Sequence, residues 1–185
     1  MSIIEPQPHI LKTGEQLLVR SARIDDSSQI VELKAAIMAE DVYTLTSPGE
    51  FTHSAERERQ TIGECAEQSG YLYLVAEVAG RVVGQLEFEN GRWRKTAHAG
   101  MLSVYVARDW PDRGVGTFLL RSLLDWAAAH LLIEKVTLAV FSSNSRAIAA
   151  YNKCGFEEEG RCARDMKLDS GEYIDSVLMY QFVKG

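Results

Sequence analysis

The stretch Val104-Tyr105-Val106-Ala107-Arg108-Asp109-Trp110-Pro111-Asp112-Arg113-Gly114-Val115-Gly116-Thr117-Phe118-Leu119-Leu120 constrains the fold of this chain more than any other. It reads as a β-branched strand, a short polar turn with glycines at its end, and an amphipathic helix. Backbone N–H groups in the first turn of a helix lack intrahelical partners, and the helix dipole adds partial positive charge there. Such a junction favours a phosphate group, so the first question is which phosphate-bearing molecule it holds.

Two common phosphate loops can be tested on the letters. A P-loop needs GxxxxGK[ST], and no such run exists in the sequence. A dinucleotide fingerprint needs a third glycine in a strand–helix–strand unit near the start of the fold, but Gly114-Val115-Gly116 is followed by Thr117-Phe118-Leu119. The plainest alternative is that the two glycines only shape a tight strand-to-helix connection.

Residues 1–15 carry two prolines and no sustained period, so they read as an irregular leader, and residues 16–185 as one domain. Gln16–Arg20 is a strand candidate. Asp25-Asp26-Ser27-Ser28 supplies N-cap chemistry for a helix through Ala39, whose Ile30, Leu33, Ile37 and Met38 mark a buried stripe. Thr44–Thr52 reads as a loop, and Ser54–Gln68 as a second helix ended by Gly70. Tyr71–Val78, Arg81–Glu89 and Thr96–Val106 then make an antiparallel meander with a hairpin turn at Ala79-Gly80. The helix after Gly114 leads into the strand Lys135–Phe141, a right-handed βαβ unit. Asn144 caps a short helix through Lys153, and strands near Phe156–Arg164 and Tyr173–Val183 finish the chain. A meander joined to a βαβ unit predicts an α+β, or mixed α/β, domain.

Charge narrows the function classes. Twenty lysines and arginines against 26 acidic residues give −6, which opposes a general attraction to nucleic acid or an anionic membrane. No apolar run reaches the ~18 residues of a membrane span, and Met1–Pro8 lacks the basic and apolar regions of a signal peptide. Cys65, Cys154 and Cys162 are odd in number, widely spaced and without a CxxC pair, which argues for free thiols, no metal site and a cytoplasmic protein.

Downstream of the opening stretch lies Asn144-Ser145-Arg146-Ala147-Ile148-Ala149-Ala150-Tyr151-Asn152-Lys153-Cys154-Gly155-Phe156. Together with Pro111-Asp112-Arg113-Gly114-Val115-Gly116 it resembles the two signature blocks of the GCN5-related N-acetyltransferases, Q/R-x-x-G-x-G/A after a strand and N-x-x-A-x-x-x-Y-x-K-x-G-F. The second block matches at every defining position, and the two sit one βα unit apart as in that family. The order of elements extends the resemblance from Leu17 to Met179. It implies a mostly antiparallel sheet of about seven strands flanked by about four helices. One departure stands out: the usual Gln or Arg is Pro111 here, and proline has no N–H for a phosphate.

The resemblance also implies a chemistry, direct transfer of an acetyl group from acetyl-CoA, as co-substrate and without a metal, to a primary amine of a small molecule or protein. The backbone of Val104 and Val106 would pair with the pantetheine arm, with one of their N–H groups polarising the thioester carbonyl. Asp112, Arg113, Gly114, Val115, Gly116 and Thr117 would cradle the pyrophosphate. Tyr151 occupies the family's general-acid position, where a lone aromatic would otherwise be read as core. Asn144 has two readings, helix cap and cofactor hydrogen bond, and one side chain can serve both. A protonated amine must lose a proton before attack. Gln85, Glu87 and Glu89 share one strand face, which makes Glu87 the first choice of base and His98 on the next strand the second; the alternative is a solvated face with proton removal through water. The acceptor would meet Asp41–Phe51 and the Asp165–Tyr173 loop, and dimers are common among such proteins. The rival reading, drawn from Pro111, is an acyl-CoA-binding module that has lost turnover; acetylation of hydroxyl groups and transfer of longer acyl chains remain open.

Overall fold

The nearly continuous apolar run after Gly70 becomes a central strand buried on both faces. The computed structural model describes residues 3–40 and 42–184; Asp41, first residue of the stretch expected to meet the acceptor, lies outside them. In chain order the elements are β1 (Gln7–Ile10), β2 (Gln16–Ser21), a 3-10 turn (Ile24–Asp26), α1 (Ser27–Met38), α2 (Ala55–Glu67), β3 (Tyr71–Val78), β4 (Arg81–Asn90), β5 (Ala99–Val106), α3 (Val115–Ala129), β6 (Lys135–Phe141), α4 (Ser145–Lys153), β7 (Glu157–Lys167) and β8 (Tyr173–Phe182).

Four of these differ from the sequence-based expectations. Gln7–Ile10 is not an irregular leader but a strand paired with Gln16–Val19, so among the described residues the sheet has eight strands rather than about seven. Pro6 precedes the strand and Pro8 is its second residue, tolerated because β1 lies at the sheet's outer edge, where a missing N–H can face away from the partner strand. Asp26 stands at the N-cap of α1 without a side-chain cap bond, because its carboxylate accepts instead from Arg20 Nη1 at 2.7 Å and Arg23 N–H at 2.7 Å. β5 begins at Ala99, leaving His98 in the preceding turn. β7 runs on to Lys167, so the loop expected over Asp165–Tyr173 is shorter than read from the sequence.

The strand order is β1-β2-β3-β4-β5-β6-β8-β7, and only β5 and β6 are parallel, joined by the α3 crossover. From Gly84↔Val106 to Asn90↔Gly100 the β4–β5 register has no shift. The β5–β6 pairing stops after Met101↔Thr137, while β6 continues to Phe141 against β8. Beyond that point β5 and β6 diverge.

The sheet separates two cores. On one face α3 buries Val115, Leu119, Leu123 and Trp126 against Leu72, Leu74, Leu86 and Phe88. Leu86, Leu119 and Leu123 are fully buried, each contributing roughly 1.5–3 kcal/mol of transfer free energy. On the other face α1 and α2 cover Tyr73, Val75 and Val82 with Ile30, Leu33, Ile62 and Cys65. The two-residue period assigns Leu86 and Phe88 to the first core, and so turns Gln85 and Glu87 toward α1 and α2.

Candidate active site

Ala107 N–H donates to Val83 O on β4 at 2.8 Å. Alternation along the strand then turns the N–H groups of Val106 and Val104 away from β4, toward the gap where β6 has diverged. That gap leads to the N-terminus of α3. Gly114 stands at the N-cap with φ of 99°, a left-handed conformation that glycine adopts without the penalty a side chain incurs. The N–H groups of Val115, Gly116 and Thr117 lie in the first turn of α3. A Cβ added to Gly116 would meet Val106 Cγ2 at 3.6 Å, so backbone and strand end approach each other closely there. This cradle suits a pyrophosphate followed by an extended arm. Pro111 is exposed and precedes the helix, outside its first-turn donors. Two side chains of the loop are already engaged: Arg113 Nη1 is 2.6 Å from Glu15 Oε1 with its guanidinium 4.6 Å from the Trp110 ring centroid, and Asp112 is 3.1 Å from Arg146 Nε.

α4 borders the other side of the gap. Asn144 caps it, accepting Ala147 N–H at 3.1 Å, which leaves the side-chain amide donors uncommitted to the cap. Tyr151 packs edge-on against Phe156 at 5.9 Å between ring centroids. Burial first, then the neighbouring Tyr105 and Cys154, push the Tyr151 phenol up to about 12, so it keeps its proton at neutral pH.

On the α1/α2 face, Glu87 lies opposite Ser103, two residues past the last β5–β6 pair. Its Oε1 accepts from Lys34 Nζ at 2.9 Å. The same ammonium lies 3.2 Å from both oxygens of Glu58, whose side chain is fully buried. Glu58 also accepts from the Tyr73 hydroxyl and has His53 Nε2 2.7 Å from Oε2, an ion-pair contact rather than an aligned hydrogen bond. Burial and the two carboxylates hold the Tyr73 phenol far above its ordinary range. A cleft of about 570 Å³ opens here, lined by Tyr71, Glu87, Glu89, Met101, Ser103 and Thr137 among others.

The structure thus brings Glu87, Val104, Val106, Gly114–Thr117, Asn144 and Tyr151 to one gap, and leaves His98 out of it. His98 is exposed in the turn before β5, six residues along the chain from Val104, and its carbonyl accepts the N–H groups of Glu134 and Lys135. Lys34, Glu58 and Tyr105 surround Glu87, and the sequence reading did not single them out. The signal was present: Lys34 lies four residues after Ile30, and Glu58 four before Ile62, so each charge sits on an apolar stripe. Tyr105, opposite Gln85, lies within electrostatic reach of Lys34, Glu87 and Tyr151.

Residues 38–156 match the model of the Acetyltransferase (GNAT) family. The chain is a GNAT protein. It is 30% identical over 166 residues to the L-amino acid N-acetyltransferase AaaT of Escherichia coli, covering 89% of this chain and 96% of that one. Its fold superposes on a GNAT-family acetyltransferase from Streptococcus pneumoniae with a TM-score of 0.86 at 24% identity, over 90% of this chain and 99% of the other. The yncA protein of Salmonella typhimurium, solved with its cofactor acetyl-CoA, matches with a TM-score of 0.80 at 21% identity over 91% and 95% of the two chains. Like its GNAT relatives, the protein is an acetyl-CoA-dependent N-acetyltransferase, the thioester supplying the activated acetyl group. Among the described residues, no helix is long and apolar enough to cross a membrane.

Proposed function

We propose that this GNAT enzyme acetylates the α-amino group of a small L-amino acid, and that the cleft beside Glu87 receives the acceptor. The carrying observation is the position of Glu87: a partly exposed carboxylate opposite Ser103, at the end of a cleft of about 570 Å³ and next to the point where β5 leaves β6. That volume suits a small molecule. Support for an amino acid comes from the likeness to AaaT.

In this reading Glu87 Oε2, the oxygen Lys34 does not hold, takes a proton from the bound ammonium. The freed amine attacks the acetyl carbonyl, and an N–H of Val104 or Val106 stabilises the developing negative charge on its oxygen. A C–N bond forms as the C–S bond breaks, and Tyr151 gives its proton to the departing thiolate. The first turn of α3 holds the pyrophosphate through the backbone of Gly114 to Thr117, with Asp112 and Arg113 at the loop's rim and Asn144 on the opposite wall. Three free thiols fit a cytoplasmic setting.

Release of free thiol from acetyl-CoA should be measured against a panel of L-methionine, L-phenylalanine, L-glutamate, spermidine and a peptide with a free N-terminus. L-amino acids should turn over fastest. Turnover confined to the peptide or to spermidine would overturn the acceptor assignment while leaving the cofactor site intact.

A further inference from the structure

The cluster behind Glu87 holds one ammonium between two carboxylates, and this division of Lys34 has a consequence for the base. Glu58 is held by Lys34 from α1 and by the Tyr73 hydroxyl from β3, with His53 Nε2 2.7 Å away in the loop before α2 and its own side chain fully buried. Glu87 accepts from Lys34 through Oε1, has the Tyr73 hydroxyl as a second hydrogen-bonding neighbour shared with Glu58, and is 23% exposed at the side chain. Lys34 itself is 11% exposed and lies over the Tyr73 ring at 5.5 Å. Two carboxylates that compete for one cation each receive less stabilisation than either would alone.

We propose that Lys34 and Glu58 are positioning residues for Glu87: Lys34 fixes Oε1 so that Oε2 faces the cleft, and Glu58 draws part of Lys34 away so that Glu87 stays basic enough to accept a proton. The inference rests on Glu87 being the base. A carboxylate given the whole of a buried ammonium is a poor proton acceptor; one left without it loses its fixed orientation. The other groups facing Glu87 do not replace this control. Tyr71 and Tyr73 on β3 and Cys65 on α2 have their pKa values raised, first by burial and then by Glu87, so they stay neutral. Burial likewise raises Tyr105 on β5, with Lys34 opposing and Glu87 adding. Glu89 on β4 and Arg92 in the following turn share the cleft, and Glu89 is exposed to solvent that screens it.

The test is the acid limb of the kcat/KM profile, read with one acceptor throughout, the fastest of the panel amines, so that the amine's own titration is common to all variants. Glu58→Gln gives Lys34 wholly to Glu87, and the limb should move to lower pH by about one unit. Adding Lys34→Met to that variant removes the cation without leaving a buried carboxylate unpaired, which protects the fold. The limb should then move back up by about 1–3 pH units relative to Glu58→Gln alone. Retention of acetyl-CoA binding by both variants checks that the site is intact. A purely structural pair would lower kcat without opposite displacements of the limb, so an unmoved limb, or both steps in one direction, overturns the proposal. Glu87→Gln separates the two levels of inference. If it keeps the wild-type acid limb, the base assignment itself is wrong; if it loses the limb while the other two variants do not move it, only the role of Lys34 and Glu58 falls.

Discussion

The two faces of the sheet around the β5–β6 gap are built by different means. On the proposed cofactor side the parts are backbone: the N–H groups of Val104 and Val106, the first turn of α3, and a glycine at which an added Cβ would meet Val106 Cγ2 at 3.6 Å. On the proposed acceptor side they are side chains gathered from distant elements, Lys34, Glu58 and Glu87, separated by 24 and 53 residues in their pairings. A backbone site needs only that a strand, a turn and a helix follow one another. A side-chain site needs the whole fold first.

The largest expected effect tests the backbone side. Gly116→Val places branched carbon where phosphate approaches, while its Cβ meets Val106 at an ordinary contact distance, so the folded state should persist. Losing two charge-assisted hydrogen bonds of about 1.5 kcal/mol or more each weakens acetyl-CoA binding about 100-fold or beyond. Calorimetric titration with CoA checks this, with thermal unfolding as the control. Unchanged affinity would remove the phosphate cradle from α3.

Next in size is the shared wall of the gap. Tyr151→Phe should lower kcat by about 100-fold with much less change in acetyl-CoA binding, because a general acid acts on the departing thiolate and not on the bound ground state. The phenol pushed up to about 12 adds a condition of definite sign: it is protonated below that value and loses its proton only above it. Wild-type turnover should therefore show no fall from Tyr151 between pH 7 and 10. Turnover in the phenylalanine variant equal to wild type across that window would return Tyr151 to the core.

The same contrast explains what the sequence disclosed. The βαβ unit, the meander and the strand–turn–helix junction were legible because each is local: glycines at 114 and 116, an asparagine cap at 144 and a tyrosine seven residues later occupy fixed offsets within contiguous elements. Glu87 was also placed correctly on a strand face by its period, since the β4–β5 register carries no bulge from Gly84 to Asn90. His98 was expected on the strand but stands in a turn, because the polar run before β5 coils instead of extending the strand to Thr96. The β1 strand was missed because four residues with a proline carry too short a pattern; its pairing with β2, and the stacking of His9 on Phe118 at 4.3 Å, are tertiary. Lys34 and Glu58 were visible only as charges out of place on apolar stripes, and nothing local says that they meet.

A smaller effect sharpens the boundary between the two kinds of site. Arg113 lies in the proposed phosphate loop, yet its guanidinium rests on Trp110 and Glu15, a carboxylate from the turn between β1 and β2. If phosphate competes with that carboxylate, Arg113→Ala should weaken acetyl-CoA binding about threefold to tenfold, and Glu15→Gln should tighten it about twofold to fivefold, both effects shrinking in high salt. Weaker binding in Glu15→Gln would make the contact a strut that shapes the loop, and would extend side-chain construction to the cofactor side.

The smallest effect separates cap from cofactor contact at Asn144. Its Oδ1 accepts Ala147 N–H at 3.1 Å, a role serine can fill, whereas the amide donors have no counterpart in serine placed at the same reach. Asn144→Ala should cost about 1 kcal/mol and lower Tm by roughly 2–4 °C. Asn144→Ser should restore Tm and still bind acetyl-CoA severalfold more weakly than wild type. Recovery of both by serine would show that Asn144 serves only α4. The wall facing the cradle would then reach the cofactor through Tyr151, and the backbone of β5 and α3 would carry the remaining recognition.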